Sequence, residues 1–373
     1  MLTQERIASA GPFITEKEIE YVNDAVTNGW YAHWGDYLEK FEGAFAEYVG
    51  TKYSLATSSC TGALHIAMSA LGVGPGDEVI VPEITWIASA TSIVYLGAAP
   101  VFADVETDSW CIDPESVRKL ITPKTKGIVP VHLFGQPANM EEITKIAQEH
   151  GLFILEDAAP GLGSTYKGKK VGAIGDMGAF SFQGAKLLVT GEGGMLVTNN
   201  PELYEKARLF WDHGRDSNSP EPLWNIAIGY KYKMANILAA LGLAQLERID
   251  DLIGRKNNIF AWYKRGLGNL DGIQLNMVPN PEIIQKTYYM SCMIMTKKFK
   301  LSRDELIKYL KDNGIDCRPM FHPITKFPIF PKQNNSNPNA YFIAENGIVL
   351  PTPMDLTEEA AERVCDVIKE AML

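Results

Sequence analysis

Apolar side chains at Tyr37, Leu38, Phe41, Phe45 and Tyr48 recur at intervals of one, three and four, which lays one hydrophobic stripe along a helix over about 36–48. An earlier helix, about 16–28, opens on Thr15-Glu16-Lys17-Glu18. That is a capping box in which hydroxyl and carboxylate satisfy the first free amides, and Gly29 closes the helix. From residue 53 onward, short apolar runs alternate with helix-length segments. The pattern predicts strands at 53–56, 78–81, 100–102, 127–131 and 153–155, with helices at 62–71, 87–96, 114–120 and 140–150 between and around them. Apolar strands separated by helices form a mostly parallel sheet covered on both faces, an α/β architecture. Sheets of this kind present their sites at the carboxyl ends of the strands. Residues 57–61, 82–86 and 156–160 are therefore the places to look for chemistry.

Residues 160–194 hold ten glycines and end Gly191-Glu192-Gly193-Gly194. A stretch this rich in glycine inside a compact domain is more often functional than a linker. Met234, Ile237, Leu238, Leu241, Leu246 and Ile249 then predict one long helix over 234–253, bridging to a second unit. Beyond about 255 the elements become shorter, as in an α+β module. The reading is a large domain over 1–245 and a small C-terminal domain over 246–373, with a polar loop at 333–339.

Charge and composition narrow the function. Thirty-five basic against 45 acidic side chains give a net charge of −10, which disfavours nucleic acid and anionic membranes as partners. Residues 84–103 are uncharged and long enough for a membrane span. However, Thr85, Ser89, Thr91 and Ser92 are polar and Gly97 and Pro100 interrupt the run, so it reads as buried helix followed by strand. Five cysteines (Cys60, Cys111, Cys292, Cys317 and Cys365) form an odd set without a CxxC pair, which fits a reducing cytoplasm and neither a disulfide framework nor a thiolate metal site. Met1 to Arg6 show no basic segment leading into an apolar stretch, so no secretory leader is expected.

Four features carry candidate chemistry. Ser58-Ser59-Cys60-Thr61-Gly62 joins a strand to an apolar helix, where hydroxyls and free amides can face a phosphate or simply cap the helix. Glu156-Asp157 follows an apolar strand and can pair with a cation or cap a turn. Trp86 can stack on a flat ligand or pack in the core. Lys186, among apolar neighbours, has the surroundings of a lysine that loses its proton and forms covalent links to carbonyls, although lysines beside leucines also snorkel. No spacing of His, Cys and Asp suggests a metal site.

The order of these features resembles fold type I aminotransferases, and specifically the DegT-type sugar aminotransferases. The likeness runs nearly end to end. It covers Gly72 to Pro82, Glu156-Asp157-Ala158-Ala159, Ser181-Phe182 with Lys186, Thr190 to Met195, Asn236-Ile237 with Gly242 to Arg248, and Arg318-Pro319 with Phe321-His322-Pro323. The resemblance implies pyridoxal 5'-phosphate as cofactor and Lys186 as the catalytic residue that anchors it and moves protons. It further implies Asp157 at the ring nitrogen, Trp86 stacked on the ring, and Ser181 with the Cys60 and Thr61 amides at the phosphate. Lys231, where relatives carry Asn, would reach the phosphate across a homodimer interface. His213, Arg215, Arg318 and His322 are candidates for the substrate pocket. The implied reaction moves the amino group of L-glutamate to the keto group of a nucleotide-linked 4-keto-6-deoxy sugar, for surface polysaccharide such as lipopolysaccharide O-antigen. Besides Lys231, three positions depart from the family pattern: Cys60 replaces Gly, Pro160 stands where Gln, His or Glu meets the ring hydroxyl, and Gln183 with Phe180-Ser181-Phe182 is similar to the branch that aminates keto-cyclitols.

Overall fold

The computed structural model describes residues 6–216, 219–297, 299–330 and 336–372. Most of the N-terminal stretch Met1 to Arg6, and residues 333–335 of the polar loop, lie outside the described residues. In chain order the first half contains α1 (Glu16–Asn28), α2 (Asp36–Val49), β1 (Tyr53–Thr57), α3 (Cys60–Ala70), β2 (Glu78–Pro82), α4 (Ala88–Val94), β3 (Ala99–Ala103), α5 (Pro114–Leu120), β4 (Thr125–Ile128), α6 (Met140–His150) and β5 (Phe153–Asp157). Next come β6 (Thr165–Tyr166), β7 (Lys169–Lys170), β8 (Met177–Ser181), β9 (Gly194–Thr198), α7 (Pro201–Trp211), α8 (Asn236–Leu246) and α9 (Ile249–Leu267). The last part is β10 (Ile273–Leu275), β11 (Ile284–Gln285), β12 (Cys292–Met295), α10 (Arg303–Asp312), β13 (Arg318–Pro319), α11 (Pro338–Asn346), β14 (Gly347–Val349) and α12 (Glu358–Met372).

Seven strands form the central sheet in the order β1-β9-β8-β5-β4-β2-β3. All neighbours pair parallel except those of β9, which runs against both β1 and β8. The stripe on α2 covers this sheet: Phe45 meets Phe180 with ring centroids 5.0 Å apart, and Phe41 meets Phe182 at 5.3 Å. The capping box forms as the sequence predicts, with the Thr15 amide donating to Glu18 Oε2 at 2.7 Å.

Some boundaries differ from the sequence reading. Strand 127–131 shortens to Thr125–Ile128, and Val131 makes only an isolated bridge to Asp157. The expected helix over 234–253 is two helices, with a break at Glu247 and Arg248. Neither Gly nor Pro marks the break. Tertiary bonding selects it instead: the Arg248 guanidinium donates to the Phe13 carbonyl, Thr15 Oγ1, Glu18 and Asp251. A helix continuing straight through Arg248 would not place it over those acceptors.

After α9 a second sheet forms, in the order β10-β12-β14-β13. With α9, α10 and α12 it encloses a separate core that includes Phe260, Tyr263, Met293, Leu306, Ile348 and Val364. The C-terminal segment also returns to the first sheet's neighbourhood. Strand β11 pairs with β6, and Met320, Ile324 and Phe330 belong to the first core. Among the described residues no helix is long and apolar enough to cross a membrane.

Candidate active site

The carboxyl ends of β1, β5 and β8 open onto a cavity of about 450 Å³. Its lining includes Cys60, Thr61, Trp86, Asp157, Ser181, Lys186 and Arg318, so seven of the residues singled out in the sequence share one site. Tyr289, Met290 and Phe321, from the segment after α9, close the opposite wall. Phe321 lies between Trp86 (6.0 Å between ring centroids) and Phe134 (5.7 Å, nearly parallel).

Alternation along β5 sends its two carboxylates to opposite faces. Asp157 faces the cavity and is 5% exposed. Its Oδ2 accepts from Ser89 Oγ at 2.7 Å and its Oδ1 from the Ala159 amide at 3.2 Å. Burial pushes this carboxyl up, against the Ser89 hydroxyl and the Lys186 ammonium, which pull it down. Glu156 faces away and is fully buried. It accepts from the amides of Gly172, Ile174 and Gly175 and from His132 Nε2 at 2.9 Å. Because His132 Nδ1 accepts the Ala138 amide at 3.1 Å, this imidazole is neutral with its proton on Nε2. Of the pair, then, only Asp157 serves the cavity, and Glu156 holds the turn at 172–175 onto the strand.

Helix α3 starts at Cys60, two residues earlier than its apolar pattern suggests. Ser59 caps it by accepting the Gly62 amide at 3.1 Å, leaving the Cys60 and Thr61 amides at the open end of the helix. The close approach of β9 requires Gly194, since a Cβ there would stand 2.6 Å from the Cys60 nitrogen. Such an end attracts anions. Burial raises the Cys60 thiol well above its ordinary value, so it stays protonated.

Lys186 sits in a tight loop. Its amide donates to the Gln183 carbonyl at 2.8 Å, and Gly184 donates to Gly191 at 3.0 Å. The Lys186 nitrogen stands 5.2 Å from the centroid of the Tyr289 ring, a cation–π arrangement. Arg318 reaches the same cavity, with Nη2 3.5 Å from Met290 Sδ.

Four candidates lie elsewhere. Lys231 is ion-paired with Asp212 at 2.9 Å, and this hydrogen bond holds Asp212 low despite partial burial that would raise it. Arg215 stands 3.8 Å from the same carboxylate, in a wider groove of about 700 Å³ that also presents Trp34, Trp211 and Lys233. His213 adopts a left-handed backbone (φ 63°) beside that groove. The His322 ring packs edge-on to Phe327 rather than lining the cavity. Ser89 and Tyr289 are site residues that the sequence reading did not single out for chemistry. The only trace of Ser89 was a hydroxyl four residues after Thr85 in an otherwise apolar stretch.

A family model described as the DegT/DnrJ/EryC1/StrS aminotransferase family matches residues 12–369. The GDP-perosamine synthase of Caulobacter vibrioides is 40% identical over 99% of both chains. The GDP-perosamine synthase of Escherichia coli O157:H7 is 41% identical over 96% of both. Among solved structures, a candidate sugar aminotransferase of Streptococcus pneumoniae in its PLP-form superposes with a TM-score of 0.91, at 28% identity and 98% coverage of each chain.

Proposed function

Because the chain belongs to the DegT/DnrJ/EryC1/StrS aminotransferase family and is a pyridoxal phosphate-dependent transaminase, we propose that it moves the amino group of L-glutamate onto the keto group of a nucleotide-linked 4-keto-6-deoxy sugar. The product would be an amino sugar, as the names of the GDP-perosamine synthases suggest, for surface polysaccharide, as the name of a spore coat polysaccharide biosynthesis protein of Bacillus subtilis (37% identical) suggests. The observation that carries this reading is the convergence of Lys186, Asp157, Trp86 and the open end of α3 on one cavity. That donor set fits the cofactor: a buried carboxylate for a protonated ring nitrogen, an aromatic face for the ring, helix amides for the phosphate, and an amine for the aldehyde carbon. When bound, pyridoxal phosphate supplies an electron sink that acidifies the donor's α-hydrogen.

In this reading each side chain has a distinct task. The Cys60 and Thr61 amides and Ser181 Oγ bind the phosphate. Trp86 holds the ring flat, and Asp157 keeps the ring nitrogen protonated. The Lys186 amine would anchor the cofactor and, when free, take the proton from the donor's α-carbon and deliver it to the cofactor's C4′, two bonds away. The Tyr289 ring face flanks the Lys186 nitrogen at 5.2 Å. Val131, Leu133 and Phe321 exclude water along the wall. Arg318 offers a cation to an anionic group of either substrate.

The proposed enzyme is a cytoplasmic homodimer with its active sites at the interface. Exposed apolar side chains support the dimer: Tyr31 is 95% and Ile228 is 93% exposed, and Trp30, Trp34, Trp224 and Ile226 are more than half exposed. They flank the segment bearing Lys231, His213 and Arg215, which would then serve the partner subunit's cavity. The division into domains at 245/246 is supported by the second core, which α9 builds together with the elements that follow it. A second reading, a keto-cyclitol or small-ketone aminotransferase, is favoured by Gln183 in the cavity lining. Product analysis on both classes of ketone separates them. A non-catalytic sensor would bind the cofactor without turnover. Lys186→Ala is expected to lower turnover by a factor of at least about a thousand, measured as 2-oxoglutarate release. Wild-type turnover in that variant would contradict the assignment.

A further inference from the structure

Helix α4 carries a residue that touches Asp157 but not the cavity's contents. Ser89 is fully buried, and its hydroxyl donates to Asp157 Oδ2 at 2.7 Å, the shortest contact that carboxylate makes. Beside it, Thr85 Oγ1, which lines the cavity, lies 3.3 Å from Ser89 Oγ, in the turn that leads into the helix. Of the acceptors near Ser89 Oγ, Asp157 Oδ2 at 2.7 Å is closer than the Trp86 carbonyl at 3.3 Å; with the single Ser89 proton on Asp157, the Thr85 hydroxyl is the donor to Ser89. The Ala159 amide takes the other oxygen, so both oxygens are fixed and the carboxylate plane is set.

We propose that Ser89 is a positioning residue that fixes the plane of the Asp157 carboxylate toward the cofactor's ring nitrogen and favours its ionised form, with Thr85 polarising Ser89 from the cavity side. The proposal rests on the reading of Asp157 as the ring-nitrogen partner. A charge-assisted hydrogen bond from a buried hydroxyl is among the stronger neutral-donor contacts. Without it, burial would move Asp157 toward its protonated form, which cannot pair with a protonated ring nitrogen. The other groups facing Asp157 do not replace Ser89. Lys186 is the residue proposed to be bonded to the cofactor, the Cys60 thiol is protonated, and His132 is neutral and bonded to Glu156. Glu192 and Arg318 stand across the cavity with opposite charges.

The test compares wild type, Ser89→Ala, Ser89→Cys and Asp157→Asn. Each is titrated with pyridoxal phosphate and followed by absorbance across the pH range in which the protein stays folded. In Ser89→Ala, cofactor affinity is expected to fall about tenfold, and the acidic limit of cofactor retention is expected to move to higher pH. The direction follows from the raised carboxyl, which picks up its proton at a higher pH. Ser89→Cys, close in volume with a weak donor, should change in the same direction by less. Because a buried hydrogen bond is lost, the unfolding midpoint of the cofactor-free protein is expected to drop as well, so the acidic limit is the deciding readout. A merely structural role would lower that midpoint and leave the acidic limit in place. Wild-type affinity and an unmoved acidic limit in Ser89→Ala would overturn the proposal. Asp157→Asn separates the two claims. If it too retains cofactor like wild type, the reading of Asp157 fails; if it loses cofactor while Ser89→Ala does not, only the assignment of Ser89 falls.

Discussion

Asp157 carries a cost before any ligand arrives. Burial raises its carboxyl, and the Ser89 hydroxyl, the Lys186 ammonium and the Ala159 amide oppose the shift. A carboxyl with a raised value in the folded protein contributes stability that is present below its ordinary titration and lost as pH rises through the folded value. In the cofactor-free protein, Asp157→Asn is therefore expected to gain about 1 kcal/mol at neutral pH and nothing at acid pH below about 4, read from denaturant unfolding. A variant that is less stable at neutral pH would refute this. Lys186 and Asp157 each read ambiguously alone, and the order of the motifs with the family resemblance singled them out; the structure places both at one cavity. Ser89 and Tyr289 owe their importance to residues 68 and 103 positions away, and single serines and tyrosines have no sequence signature.

At the scale of elements, the turn that follows β4 joins the first sheet to the cavity's far wall. Gly135 has φ 87°, and a Cβ there would stand 1.9 Å from the Thr287 carbonyl oxygen. Ser164 Oγ donates to the Gly135 carbonyl at 2.7 Å and accepts the Thr287 amide at 2.9 Å, so the segment leading to Tyr289 and Met290 is pinned at this point. Gly135→Ala meets both a backbone penalty and a clash with backbone. It is expected to cost about 3 kcal/mol or more and to raise KM by loosening the wall. A loss under about 1 kcal/mol with unchanged KM would show that the wall does not depend on the turn. Helices with a strong stripe or cap, such as α1, α5 and α6, were legible to within a residue because their signals lie within the element. The break between α8 and α9 was not, because Arg248 finds its acceptors around α1, more than 200 residues earlier.

For the whole molecule, the alternation of apolar strands and helices sufficed to predict a mostly parallel sheet with its site at the strand ends. The return of the chain did not show: β11 pairing with β6, and Tyr289, Arg318 and Phe321 closing the cavity, are contacts between distant segments without periodicity. The net charge of −10 also acquires a local meaning, since an anionic cofactor and substrate would meet helix amides, Lys186 and Arg318 rather than the average surface. The central claim is amino transfer from L-glutamate to a nucleotide-linked keto sugar. It is tested most directly by supplying glutamate labelled with heavy nitrogen together with a GDP-linked 4-keto-6-deoxy sugar, and weighing the sugar product by mass spectrometry. Wild type is expected to place the label in an amino sugar, and Lys186→Ala to place none. An unlabelled, unconverted sugar with cofactor-loaded wild type would contradict the proposed reaction.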